Sequence, residues 1–212
     1  MRFTLHDMSK RSGSSRWLQR QHSDPFVRQA RRSEYRSRAI FKLMEIDRRD
    51  HLFQPGDKVI DLGAAPGGWS QYVAGMVGKQ GKVIALDILE MQPLDNVFFI
   101  QGDFSEQSTS MRCLEALRGD KADLVISDMS PNITGIKVTD QARSLYLAEL
   151  ALEFAVRVLR QDGALLIKLF QGEGVDEFRA SLKEHFSKIV TRKPNASRDD
   201  SREFYILARA FR

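Results

Sequence analysis

Cysteine occurs once in the 212 residues, at Cys113, and histidine only four times, at positions 6, 22, 51 and 185. A single thiol excludes an internal disulfide and leaves a cytoplasmic setting as the expectation. The histidines show no close ligand spacing, so neither zinc nor another metal is expected. Long apolar runs are missing too: none approaches the ~20 residues of a membrane span. The opening residues Met1-Arg2-Phe3-Thr4-Leu5-His6-Asp7 lack the apolar stretch of a secretory signal. No internal repeat or low-complexity block interrupts the chain. What is present is 42% apolar residues, enough for one full core at this length and short for two.

The net charge of +5 is unevenly placed. Residues 1–49 carry 13 Lys/Arg against 5 Asp/Glu, whereas the remainder is slightly acidic. A polyanionic partner reached through the N-terminal segment follows, with a merely solvated tail as the alternative. Residues 1–30 read as a basic, partly flexible arm, with Ser12-Gly13-Ser14-Ser15 as its loosest part. Residues 31–212 read as one domain. Within it, Tyr35, Ala39, Ile40, Leu43, Met44 and Ile46 recur at helical spacing from Ser33 to Asp50. Arg36, Arg38, Lys42, Arg48 and Arg49 lie between them and are expected to project outward.

From residue 57 onward strands and helices alternate. Lys58–Leu62, Lys82–Asp87, Val97–Gln101, Asp123–Asp128 and Ala164–Phe170 read as strands; Thr109–Leu117, Thr139–Leu159 and Val175–Phe186 read as helices. Gly163 sits where a glycine would stop the second of these helices. Ile189–Thr191 and Phe204–Ala208 are two closing strands with no room for a helix between them. The expectation is a three-layer α/β fold, Rossmann-like, whose seven-stranded sheet is mostly parallel with the last strand antiparallel.

The first βα junction, Asp61-Leu62-Gly63-Ala64-Ala65-Pro66-Gly67-Gly68-Trp69-Ser70, organises the domain. Glycines there let the backbone turn tightly and approach a ligand. The spacing is not the G-x-G-x-x-G of dinucleotide sites, which disfavours NAD. A ligand without a pyrophosphate suits the turn better, with S-adenosylmethionine the leading candidate; a turn with no ligand is the alternative. Four acids fall at strand ends, where open parallel sheets bind ligands: Asp61, Asp87, Asp103 and Asp128. Asp87 follows Gly63 at about the distance where an acid would take ribose hydroxyls. Asp103 could accept from an adenine amino group or cap its own turn. Lys168, in an otherwise apolar strand, needs an opening or a partner, and Asp128 is the plausible neighbour.

Five segments together resemble the FtsJ/RrmJ (RlmE) family of class I ribose 2′-O-methyltransferases. They are Ser37–Leu43, Asp61–Ser70, Ser127–Asn132, Lys168–Gly174 and Ser201–Tyr205, in order across nearly the whole chain. The resemblance implies S-adenosylmethionine as cofactor, held by Gly63, Gly67, Trp69, Asp87, Asp103 and Asp128. It implies a catalytic Lys42, Asp128, Lys168 and Glu203 tetrad. It also implies methylation of a uridine in 23S ribosomal RNA within the large ribosomal subunit, by a monomer. Ser130 stands where the family often has alanine, and Asp199-Asp200 adds negative charge before Glu203. A non-catalytic ribosome-assembly factor on the same fold is the competing reading, and the intact tetrad argues against it.

Overall fold

Short apolar strands buried on both faces settle how this chain folds. The computed structural model describes residues 24–198 and 201–212. Most of the expected basic arm therefore lies outside the described residues. The part within them includes α1 (Pro25–Arg32), capped by the Asp24 carboxylate on the Phe26 and Val27 amides. The next elements are α2 (Ile40–Asp50), β1 (Lys58–Leu62), α3 (Gly68–Val77), β2 (Lys82–Asp87) and β3 (Val97–Gln101). Then come α4 (Gln107–Leu117), β4 (Ala122–Ser127), α5 (Lys137–Val158) and β5 (Leu159–Phe170). The chain closes with α6 (Val175–His185), β6 (Phe186–Arg192) and β7 (Glu203–Phe211).

The seven strands form one sheet in the order β3-β2-β1-β4-β5-β7-β6, and only β7 runs antiparallel to its neighbours. Parallel strands buried on both faces need apolar residues throughout, which is why β1, β2 and β4 read as continuous runs. Ile60, Leu86, Val125, Ile167 and Ile206 face a core completed by α4, α5 and α6. Val59, Leu124, Leu166 and Tyr205 face the opposite core, built with α2 and α3. By that parity Asp61 and Lys168 also belong to the α2/α3 face. Among the described residues no helix is long and apolar enough to cross a membrane.

Three expectations need correction. The helix expected from Ser33 starts at Ile40, because the chain turns at Glu34 (φ 57°) and is held there by distant contacts. The Arg36 amide donates to Gln71 Oε1 (3.1 Å). Its guanidinium donates to the carbonyls of Pro66, Gln92 and Pro93. Nor do all the basic residues of this stretch project outward, since Lys42 is buried. Gly163 does not stop α5, which ends at Val158 and passes directly into β5. The glycine lies instead at a register shift in the β4–β5 pairing, beside Asp162 in the left-handed region (φ 63°).

Candidate active site

The turn after β1 is drawn onto β2 by its backbone. The Gly63 and Ala64 amides donate to the Leu86 carbonyl at 2.8 and 3.1 Å. Gly63 has φ +74°, and a Cβ there would stand 2.2 Å from Met129 Cγ, so both conformation and space require glycine. Gly67, also left-handed, precedes the first turn of α3. The turn forms one rim of a cavity of about 410 Å³ at the carboxyl ends of β1, β2 and β4. Gly63, Asp87, Asp103 and Asp128 line it, four of the six residues expected at the cofactor.

Their carboxylates differ in what they already do. Asp87 accepts from the Ala65 amide (2.8 Å) with one oxygen and from the Leu89 amide (2.8 Å) with the other. It therefore fixes the cavity's shape as well as facing it. Asp103 Oδ1 accepts from the Ser105 amide and hydroxyl, so the turn-capping role is real. Trp69 stands apart: its indole is buried against Tyr205 and donates to the Ala39 carbonyl (2.9 Å). Neither its side chain nor Gly67 lines the cavity. Asp61 is buried inside β1, beneath the turn, and accepts from Ser70 Oγ at 2.7 Å. Burial, reinforced by the nearby Asp128 and Asp87 charges, outweighs that hydrogen bond and pushes its carboxyl up to about 7.

A second cavity, of about 450 Å³, adjoins the first at Ser130. Arg38, Lys42, Arg198, Arg202 and Glu203 are among its walls. Of the four tetrad residues, Asp128 lines the first cavity and Lys42 and Glu203 line the second, while Lys168 is buried and lines neither. Lys168 Nζ lies 2.9 Å from Asp128 Oδ1 and also donates to the Asp128 backbone carbonyl. Lys42 Nζ lies 2.6 Å from Glu203 Oε1. The β5–β7 register pairs Lys168 with Tyr205 and Phe170 with Glu203, which is how the last strand reaches the site.

Tyr205, not singled out from the sequence as a site residue, joins the cluster. Its hydroxyl donates to Asp128 Oδ1 at 2.6 Å from a fully buried ring. Burial and the Asp128 carboxylate raise the phenol well above its ordinary range. Burial would also raise Asp128, but the Lys168 and Lys42 ammoniums and the Tyr205 hydroxyl win and hold its carboxyl below the usual value. Asp128 is therefore an anion at neutral pH. Alternation along β7 was the available signal, because Tyr205 is two residues past Glu203 on the same face. Asp140 was also missed. Near the start of α5, it accepts from the Thr134 amide and hydroxyl (2.8 and 2.7 Å) and the Gly135 amide (3.1 Å). Those bonds fix the loop that forms one wall of the second cavity and hold the Asp140 carboxyl below its ordinary range.

Sheet order, glycine turn and carboxyl-end cavity define a Rossmann-like domain of the class I methyltransferase type. The FtsJ-like methyltransferase family model matches residues 35–211, and the chain belongs to that family. It is 55% identical over 202 residues to the ribosomal RNA large subunit methyltransferase E of Alkalilimnicola ehrlichii, covering 95% of this chain and 97% of the relative. It is 52% identical over 205 residues to the protein of the same name from Pseudomonas aeruginosa, covering 97% and 99%. Among solved structures, one described as a ribosomal RNA methyltransferase from Plasmodium falciparum superposes with a TM-score of 0.75 at 27% identity. That match covers 84% of this chain and 98% of the other.

Proposed function

We propose that the protein methylates a uridine ribose 2′-hydroxyl of 23S ribosomal RNA in the large ribosomal subunit, using S-adenosylmethionine. The observation that carries this reading is the Lys168–Asp128 ion pair, whose aspartate lines the carboxyl-end cavity two residues before Ser130, the residue shared with the basic cavity. The names of the relatives support the ribosomal substrate. The first cavity fits the cofactor: Gly63 lets the backbone approach closely, and Asp87 keeps lone pairs free beyond its two amide bonds for ribose hydroxyls. Asp103 faces the same space for an adenine amino group.

When bound, S-adenosylmethionine supplies a methyl group on a sulfonium, an electrophile that needs no further activation. The protein's task is to hold the ribose hydroxyl and receive its proton. Orientation of this kind is worth up to ~7–11 kcal/mol, against ~10²–10⁴-fold for proton-transfer help, so positioning dominates. Lys42 and Glu203, salt-bridged at 2.6 Å on the wall of the basic cavity, shape the space for the nucleotide. Lys168, an ammonium in the free protein, must first pass its own proton to solvent as RNA covers the site. It then holds the hydroxyl and takes its proton late, as the oxygen–carbon bond forms and the sulfur–methyl bond breaks. Asp128, already ionised and tied to Tyr205, stabilises the ammonium that results.

The test is transfer of labelled methyl from S-adenosylmethionine to isolated large subunits, followed by mapping of 2′-O-methyl groups in 23S RNA with and without the protein. One ribose gaining a methyl group is the expected result. Cofactor binding with no methylated ribose in any ribosomal RNA would overturn the reading.

A further inference from the structure

Behind two arginines of the basic cavity lies an acid that the tetrad does not use. Asp24 caps α1 through Oδ1, which accepts from the Phe26 amide at 3.0 Å and the Val27 amide at 3.4 Å. Its other oxygen points away from the helix, 3.1 Å from Arg38 Nε and 3.9 Å from Arg198 Nε. Both arginines line the second cavity. Arg38 is held rigidly for a surface-facing guanidinium. It donates to the Ala196 carbonyl (2.6 Å), lies over the Phe26 ring (5.5 Å), and its side chain is only 16% exposed. Yet its Nε–H finds no aligned acceptor, since the Asp24 oxygen is near but out of line. A fixed guanidinium with an ill-matched carboxylate is an unfinished anion site.

We propose that Arg38 and Arg198 form a phosphate subsite of the RNA cavity, and that Asp24 fills it in the free protein as a stand-in for an RNA phosphodiester. This deepens the ribose-methylation reading and rests on it. The subsite lies on the same wall as Lys42, one turn further along the chain from Arg38. It is therefore suited to a phosphate flanking the nucleotide whose hydroxyl reaches Lys168. The acids on that wall are already engaged, Glu203 by Lys42 and Asp140 by Thr134 and Gly135. Among the described residues, Asp24 is the acid placed to compete with the RNA for these two cations. Removing its charge should strengthen RNA binding, the opposite of what loss of a supporting ion pair would do.

The experiment is equilibrium binding of a 23S RNA transcript, without methyl donor, across a salt series. Asp24→Asn is the main variant, because asparagine caps a helix about as well as aspartate and keeps α1 in place. A partly exposed ion pair is worth up to ~1 kcal/mol, so Asp24→Asn should bind RNA about two- to fivefold more tightly. Its log–log salt slope should steepen by ~0.7–0.9, one phosphate contact. Arg38→Gln should weaken binding and make the slope shallower, and Asp24→Asn should confer no gain in that background. Asp24→Ser, a second capping variant, should repeat the result and guards against a local effect of the amide. Weaker or unchanged RNA affinity in both Asp24 variants would overturn the proposal, as would a gain that persists without Arg38. Because no methyl donor is present, a protein that shows this pattern but methylates nothing would sink the proposed reaction and leave the subsite standing.

Discussion

Replacing Asp61 by asparagine isolates the cost of a charge buried beneath the glycine turn. The carboxyl is almost fully enclosed in β1, and its one hydrogen bond, from Ser70, does not offset burial beside Asp128 and Asp87. Its proton is held to about 7, against an ordinary value of 3.8. An acid raised in this way favours the fold while it is protonated. The unfolded chain releases the proton first, so stability falls as pH rises from about 4 and levels off above about 7. At ~1.36 kcal/mol per pH unit, the displacement makes ionised Asp61 a liability of roughly 4 kcal/mol. The asparagine side chain would have no proton to lose. Any change in its bond to Ser70 adds an offset that does not vary with pH. The assay is urea unfolding of both proteins at intervals from about pH 4 to about pH 9. The stability of Asp61→Asn relative to the parent should climb through that window by several kcal/mol and be flat on either side. Parallel curves would refute the reasoning, as would a climb complete below about pH 5, which would mean that Asp61 is ionised in the native protein.

Three further outcomes follow from the site. Lys168→Ala should retain cofactor affinity by calorimetry but lose ~10²–10⁴-fold in single-turnover methylation; an unchanged rate would remove Lys168 from the reaction. Asp87→Ala should weaken cofactor binding and lower unfolding stability together, because the carboxylate holds the Ala65 and Leu89 amides. Losing such charge-assisted bonds costs about 1.5–3 kcal/mol, and normal affinity for the cofactor would confine Asp87 to the turn. Tyr205→Phe should lower unfolding stability by a similar ~1.5–3 kcal/mol by removing a donor from the Asp128 anion; an unchanged urea midpoint would show that the bond contributes nothing.

The central strands and the glycine turn were legible because local signals sufficed: apolar runs closed by Gly63 and Asp87 have few other conformations. The antiparallel last strand followed from the short stretch before it, which leaves no room for a crossover helix. The pairing of Lys168 with Asp128 followed from an ammonium in an apolar strand needing a partner. The start of α2 was not legible, because Arg36 turns the chain by holding carbonyls at Pro66, Gln92 and Pro93, far away in sequence. Gly163 misled for a related reason. A glycine after a helix looks like a stop, and only the sheet register shows it beside a bulge within β5. The hydroxyl of Tyr205 and the second oxygen of Asp24 acquire meaning only from partners 77 and 14 residues distant.

The place of β7 has a consequence for synthesis. Inserted between β5 and β6, it is made after both, and its register brings Glu203 and Tyr205 to the earlier Lys168 and Asp128. A nascent chain still lacking β7 has every wall residue of the carboxyl-end cavity but an open tetrad. The proposed tetrad thus assembles only once β7 has been made. Chains terminated before β7 would lack Glu203 and Tyr205, and with them the centre proposed for methyl transfer.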